Sequence, residues 1–120
     1  DVTPEELRGR LATFATEVEK FSRPALARIE TRDVALQLRR SATSTAANHR
    51  AAGRARSHAE FTSKIGIALE EADETLYWLE HLNNCGLATA DSLLSLLTEA
   101  RELVAILTTS TQTARRRRRG

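Results

Sequence analysis

The sequence has little of what most folds and sites require. Its 120 residues contain one cysteine, two prolines, five glycines and no methionine, and only 4% of them are aromatic. The lone Cys85 excludes a disulfide within the chain and fits a reducing compartment. Because β-sandwiches are rich in β-branched and aromatic residues, this composition favours an all-α protein with a single core instead.

A long apolar run is also missing. The longest uncharged stretch near the C-terminus, residues 103–114, is too short and too rich in threonine to span a bilayer. The N-terminus begins with a helix cap rather than with a charged region and an apolar core. We therefore expect a cytoplasmic protein that makes no membrane contact.

Charge is segregated along the chain, although the net charge is only +2. Residues 34–59 contain five arginines and no acidic residue, whereas residues 60–102 contain nine acidic and two basic residues. Five consecutive arginines follow at 115–119 and raise the sequence pI to about 9.2. Stretches of such opposite charge are expected to contact each other, a neighbouring subunit or an outside partner.

Start and stop signals predict the first two helices. Thr3 is a helix cap, and Pro4 suits the first helical position. Pro24 is expected to end or bend this helix. The second helix is predicted over about residues 33–52, and Gly53 is placed to end it in the left-handed conformation.

Similar signals predict two more helices. Ser57 and Glu60 form a capping box that opens the third helix, and Gly86 is expected to end it. Thr89 and Asp91 open the fourth. Apolar residues recur at steps of three and four in every segment. We therefore predict an antiparallel, up-down-up-down four-helix bundle over residues 1–114, followed by a disordered arginine-rich tail at 115–120.

The second and third predicted helices carry specific motifs. The chain from Leu7 to Ala114 resembles the four-helix-bundle proteins encoded in intervening sequences of bacterial large-subunit ribosomal RNA genes. The motifs that carry the resemblance are LRRS at 38–41, ANHRAA at 47–52, RARS at 54–57, AEF at 59–61 and EADETLYWLE at 71–80.

This resemblance implies an antiparallel bundle that assembles as a ring-shaped homopentamer. It also relates the chain to the accessory proteins of diversity-generating retroelements, whose basic ring is implicated in binding nucleic acid and reverse transcriptase. The family usually has an aromatic residue where this chain has His49 and a glutamate where it has Ala51.

The arginines of the second helix are candidate nucleic-acid contacts. Arg39, Arg50 and Arg54 fall within a narrow arc, because eleven residues make about three helical turns and four more add only ~40°. With Arg40 and Arg56 they make a basic row that would bind phosphates of RNA or DNA with a steep salt dependence.

The third helix offers a competing partner for these arginines. Its acidic residues recur at similar spacing, so the two rows can pair within one chain or between the subunits of a ring. The sequence leaves both alternatives open. The acidic residues are Glu70, Glu71, Asp73, Glu74 and Glu80.

The C-terminal arginine run is predicted to bind a polyanion, RNA first. Several copies in one assembly would strengthen that binding through avidity. A solvated tail without a dedicated role is the alternative. The run consists of Arg115, Arg116, Arg117, Arg118 and Arg119.

Large apolar residues beyond one buried stripe predict a subunit interface. These residues are Tyr77 and Trp78 on the third helix and Leu96 and Leu103 on the fourth. A broad core within a single chain is the other explanation for the same residues.

No motif for catalysis or for a cofactor is present. His81 and Cys85 lie one helical turn apart, but zinc prefers four ligands, so the sequence predicts no metal site. A glycine-rich phosphate loop and a Ser/His/acid set are both missing. We therefore expect a non-enzymatic, cofactor-free ring that binds RNA or DNA. The alternative is an adaptor ring that docks a protein such as a reverse transcriptase, with the charged rows serving subunit contacts.

Overall fold

Four long helices make up most of the chain. The computed structural model describes residues 2–86 and 91–119, of which 118 and 119 are described by their backbone alone. The helices are α1 (Pro4–Leu26), α2 (Arg32–Ala52), α3 (His58–Cys85) and α4 (Asp91–Arg119), and the described ranges contain no strand. The predicted all-α fold of four helices is confirmed.

Local capping explains where three of the helix ends fall. Thr3 Oγ1 accepts a hydrogen bond from the backbone N–H of Glu6 at 3.1 Å, and Ser57 Oγ accepts one from the N–H of Glu60 at 3.0 Å. Gly86 follows α3 with a φ of 67°, in the left-handed region that favours a residue without Cβ. These three caps agree with the predictions.

The end of α2 differs from its prediction. Gly53 has a φ of −64°, so it is right-handed rather than left-handed. The chain leaves the helix through tighter bonds instead, from the N–H of Arg54 to the carbonyl of Ala51 and from the N–H of Ala55 to the carbonyl of Ala52, both at 3.1 Å. Such three-residue bonds satisfy the last carbonyls without a left-handed residue.

Two helices run further than the sequence predicts. Helix α1 includes Pro24 and ends at Leu26, because a proline in the last turn removes few backbone bonds. Helix α4 continues through Arg119, whereas the sequence predicts disorder from residue 115. Arginine is a good helix former, and cations are favoured at a helix C-terminus. The predicted cap Thr89 lies outside the described residues.

The helices pack on one another in chain order. Helix α1 packs on α2, α2 on α3 and α3 on α4, with a lighter contact between α1 and α4. Residues later in α2 lie near residues earlier in α3. Ser41 accepts a hydrogen bond from Thr75, whereas Arg50 lines one cleft with Phe61. This order of contacts is the one expected of an up-down bundle.

The core closes over two residues that the sequence places on an outer face. Leu96 is 7% exposed and Leu103 is 1% exposed, and both belong to the central apolar cluster. The expectation that they face a second subunit is wrong, because α4 packs against both α3 and α1 and must bury a wide stripe. The other large core residues include Leu7, Leu11, Val18, Leu38, Leu79, Leu93, Leu97 and Leu107.

The bundle is elongated, with dimensions of 49 × 23 × 21 Å. Its two ends are therefore separate surfaces that can carry different chemistry. Within the described parts of the chain, no helix combines the length and the apolar character that crossing a bilayer would need.

Candidate nucleic-acid interface

One end of the bundle collects positive charge from all four helices. The first turns of α1 and α3 meet the last turns of α2 and α4 there, since Pro4, Arg50, Phe61 and Ser110 line one cleft. We call this the basic end. Its charged residues are Arg8, Arg50, Arg54, Arg56, Lys64 and Arg115 to Arg117, against Glu5, Glu6 and Glu60.

Arg39 and Arg40 lie away from the basic end and are held in ion pairs. Arg39 Nη2 lies 2.8 Å from Glu19 Oε1 on α1. Arg40 reaches α3, where its Nη2 lies 2.7 Å from Glu74 Oε2 and its Nη1 lies 3.3 Å from Glu71 Oε2. Pairing within the chain therefore accounts for these two arginines, which link α2 to both of its neighbours.

Arg50 and Arg54 differ from them, because neither has an acidic partner within ion-pair distance among the described residues. Both line a groove of about 580 Å³ between α1 and α2. We call this the arginine groove. Its lining consists of Arg8, Arg50 and Arg54 together with Ala12, Ala46 and Ala47.

The arginine groove can hold a phosphate backbone. The three alanine side chains leave room for an approaching chain, and each guanidinium group offers several N–H donors in a planar fork that matches phosphate oxygens. Contacts of this kind position a nucleic acid without reading its sequence.

The remaining candidate arginines extend the same positive surface. The side chain of Arg56 is 92% exposed and lies 3.9 Å from Glu60, a surface pair that contributes little. Arg115, Arg116 and Arg117 are exposed on the last turns of α4. The side chains of Arg118 and Arg119 lie outside the described residues.

A second concavity, the His49 cleft, adjoins the arginine groove and shares Arg8 and Arg50 with it. Its volume is about 270 Å³. His49 stands in the wall and is only 8% exposed. The other lining residues are mainly apolar, and Glu5 is the one acidic residue among them. They are Val2, Pro4, Glu5, Leu7, Ala52, Gly53, Phe61, Ile65 and Ser110.

The His49 imidazole is an incompletely satisfied polar group. Its Nδ1 is buried without a hydrogen-bond partner among the described residues. Burial, together with the positive charge of Arg8, lowers the pKa of His49 below its ordinary value. The ring is therefore neutral at pH 7 and keeps one donor and one acceptor nitrogen.

The other predicted interface residues lie far from the basic end, on the outer side of α2 and α3. Tyr77 is 56% exposed, whereas Trp78 is half-buried and donates its indole N–H to Glu74 at 3.2 Å. Leu36 is 47% exposed and lies one helical turn before Arg40. Arg40 donates a hydrogen bond to the Glu74 carboxylate that also accepts from Trp78. We call Leu36, Tyr77 and Trp78 the Tyr77 face.

Possible metal ligands do not converge in the part of the chain that the structure describes. His81 Nε2 and Cys85 Sγ lie 3.6 Å apart near the end of α3. No group of three or more histidine, cysteine, aspartate or glutamate side chains forms around them or elsewhere among the described residues.

Sequence reasoning missed Arg8 as a functional candidate. It stands alone on α1 and belongs to no charged run, so only the packing of α1 on α2 brings it to Arg50 and Arg54. The available signal was the small residues Ala12 and Ala46, which predict a close approach of the two helices.

Comparison with known proteins identifies the family. A model of the 23S rRNA-intervening sequence protein family matches residues 10–109. The chain belongs to this family. A comparison with curated proteins gives no match.

Among solved structures, this family member is similar to a protein of unknown function from the S23 ribosomal protein family of Bacteroides thetaiotaomicron VPI-5482. The two chains are 30% identical with a TM-score of 0.81, and the match covers 88% of this chain and 97% of the other. The range matched to the family contains Arg50 and Arg54, whereas Arg8 precedes it and Arg115 follows it. The basic end thus combines positions inside and outside the range matched to the 23S rRNA-intervening sequence protein family.

Proposed function

We propose that this 23S rRNA-intervening sequence protein is a non-enzymatic, oligomeric protein that binds RNA at its basic end. The observation that carries the proposal is that the arginines of α2 and of the turn after it differ in their ion pairing. Arg39 and Arg40 are neutralised by acidic partners, whereas Arg50 and Arg54 flank a groove without such partners among the described residues.

Arg39 serves the fold, because it pairs with Glu19 of α1 at 2.8 Å. Guanidinium groups brought close together without carboxylates repel each other, and an anion relieves that repulsion. Arg8, Arg50 and Arg54 line a groove whose lining contains no carboxylate, although Glu5 lines the adjoining cleft, and Arg115 to Arg117 lie at the same end of the bundle. A nucleic-acid backbone supplies several such anions along one line.

We propose further that the protein assembles with itself, as a pentameric ring according to its family resemblance. The exposed Tyr77 face supports self-association, because Leu36 and Tyr77 present apolar surface that one bundle does not bury. Several basic ends in one assembly would bind one RNA with avidity. The Tyr77 face lies apart from the arginine groove, so assembly and RNA binding do not compete for the same residues.

An adaptor role is the second candidate, and the same apolar face favours it. If a different protein rather than another copy covers the Tyr77 face, the protein would dock that partner, for example a reverse transcriptase, in a ring held by other contacts. Sedimentation of the variant L36E/Y77E separates the two cases, because this variant should lower the sedimenting mass only if copies of the chain cover the Tyr77 face.

Charge reversal tests the RNA proposal directly. The double variant R50E/R54E reverses the charge of two arginines of the groove. The variant R23E/R28E makes the same change in net charge at the opposite end, where both side chains are 69% exposed. Binding of a labelled single-stranded RNA is followed by fluorescence anisotropy at about 50 mM salt.

We expect R50E/R54E to weaken binding by roughly tenfold or more, since one charge-assisted hydrogen bond is worth about 1.5 kcal/mol or more. The control R23E/R28E should bind nearly as well as the wild type. Equal losses in both variants would mean that net charge alone attracts RNA. The absence of RNA binding by the wild type at low salt would refute the proposal.

A further inference from the structure

The His49 cleft combines a mainly apolar lining with three charged residues, Arg8, Arg50 and Glu5. Phe61, Pro4 and Leu7 contribute apolar lining, while Arg8 and Arg50 belong to both the cleft and the arginine groove. A molecule that fits both concavities at once needs a flat or compact apolar part attached to an anionic backbone. A nucleotide has this construction, with its base on one side and its phosphate on the other.

We propose that the His49 cleft holds one base of a single-stranded RNA while Arg8 and Arg50 bind the adjoining phosphate. This inference rests on the proposed RNA-binding function and gives it a specific site. A base can enter the cleft only from an unpaired strand, because in a duplex its edges are paired and its faces are stacked. Recognition of single-stranded RNA commonly uses such splayed bases.

The size of the cleft favours a single base. Its volume of about 270 Å³ falls just below the ~300–1,000 Å³ typical of small-molecule sites. The neighbouring groove, at about 580 Å³, is larger and is lined by arginines and alanines only. The apolar cleft therefore suits the base, and the arginine groove suits the backbone that continues from it.

The wall of the cleft contains one imidazole ring, that of His49, beside its apolar residues. His49 is more than nine-tenths buried, and its Nδ1 lacks a partner. Unpaired buried polar atoms are uncommon, and this one belongs to a residue that lines the cleft.

The base contribution can be measured without changing the protein. Adenosine 5′-monophosphate and ribose 5-phosphate carry the same phosphate, but only the first has a base, so their ability to displace a labelled RNA reports on the cleft. Single-stranded oligonucleotides of one length, with normal or with abasic riboses, repeat the comparison within a strand. We expect removal of the bases to weaken binding about five- to 140-fold, the size of one lost base stack, without changing the salt slope.

Two protein variants then place the effect in the cleft. Ser110→Leu adds bulk to a residue of the cleft lining, and Thr109→Leu introduces the same leucine side chain at an exposed neighbour on α4. His49→Phe removes the ring nitrogens, and His81→Phe makes the same change at the opposite end of the bundle. We expect S110L and H49F to reduce the preference for normal over abasic RNA, while T109L and H81F keep it.

The possible outcomes separate this inference from the function on which it rests. Salt-dependent RNA binding with no preference for normal over abasic RNA overturns the base site and leaves the arginine groove intact. A preference that survives in both S110L and H49F also overturns it, because the base then binds elsewhere. Failure of the wild type to bind either strand removes the proposed function itself.

Discussion

The core assignment of α4 can be tested by a matched pair of substitutions. Leu103 is 1% exposed and Leu94 is 57% exposed on the same helix. Truncation of a fully buried leucine to alanine costs about 2–5 kcal/mol, because apolar contacts are lost and a cavity remains. We therefore expect Leu103→Ala to lower the free energy of unfolding by that amount, and Leu94→Ala to change it by less than about 0.5 kcal/mol.

Urea denaturation followed by circular dichroism measures this difference. With a slope of about 1–3 kcal/mol/M for a small protein, a loss of ~3 kcal/mol moves the midpoint by about 1 M or more. Sedimentation of the folded variants provides the second observable. If Leu103→Ala cost less than about 1 kcal/mol but dissociated an oligomer, Leu103 would lie at a subunit contact and the core assignment would be wrong.

Three further outcomes follow from individual contacts. Burial lowers the pKa of His49 in the folded chain. As the pH falls below about 6.5, the unfolded chain therefore binds a proton at His49 before the folded chain does, so stability to urea should fall between pH 8 and pH 5. The fall should be smaller in H49F. Thr75 Oγ1 lies 2.8 Å from Ser41 Oγ, and each hydroxyl also has a backbone acceptor. T75V and S41A should each lower the free energy of unfolding by about 1 kcal/mol, and a double-mutant cycle should give a coupling energy of about 0.5–1.5 kcal/mol. The variant L36E/Y77E should lower the sedimenting mass but keep the helical circular dichroism, and an unchanged mass would exclude the Tyr77 face from assembly.

The features predicted best from the sequence are those decided by a few neighbouring residues. The caps at Thr3 and Ser57 depend on a hydroxyl and on an N–H three residues later, so short motifs suffice to find them. Gly53 is the exception. A glycine at this position allows a left-handed helix end. In the structure Gly53 has a right-handed backbone conformation, and the N–H groups of Arg54 and Ala55 bind the last helical carbonyls instead.

Features decided by packing between helices were harder to predict. Helical periodicity separates Leu96 and Leu103 from the main stripe of α4, yet both are buried, since α4 contacts two neighbours. The number of neighbours is a property of the bundle and not of the helix alone. A prediction that assumes one neighbour for each helix therefore underestimates how much of the helix surface is buried.

The candidate site illustrates the same limit. Sequence spacing groups Arg39 with Arg50 and Arg54, but Glu19 neutralises Arg39 from α1. Arg8 joins the other two only through the packing of α1 on α2. Residue type and spacing thus identified a basic helix, and only the tertiary contacts separated structural arginines from those of the groove.

The salt dependence of RNA binding tests the central claim most directly. For a single strand, the slope of log K against log salt is about −0.7 for each phosphate neutralised. Removing the three arginine charges of the groove in R8Q/R50Q/R54Q should therefore make the slope less steep by about 2 per bound basic end. The control R23Q/R28Q/R32Q, at the opposite end, should keep the wild-type slope. Parallel slopes for the wild type and R8Q/R50Q/R54Q would contradict RNA binding in the arginine groove.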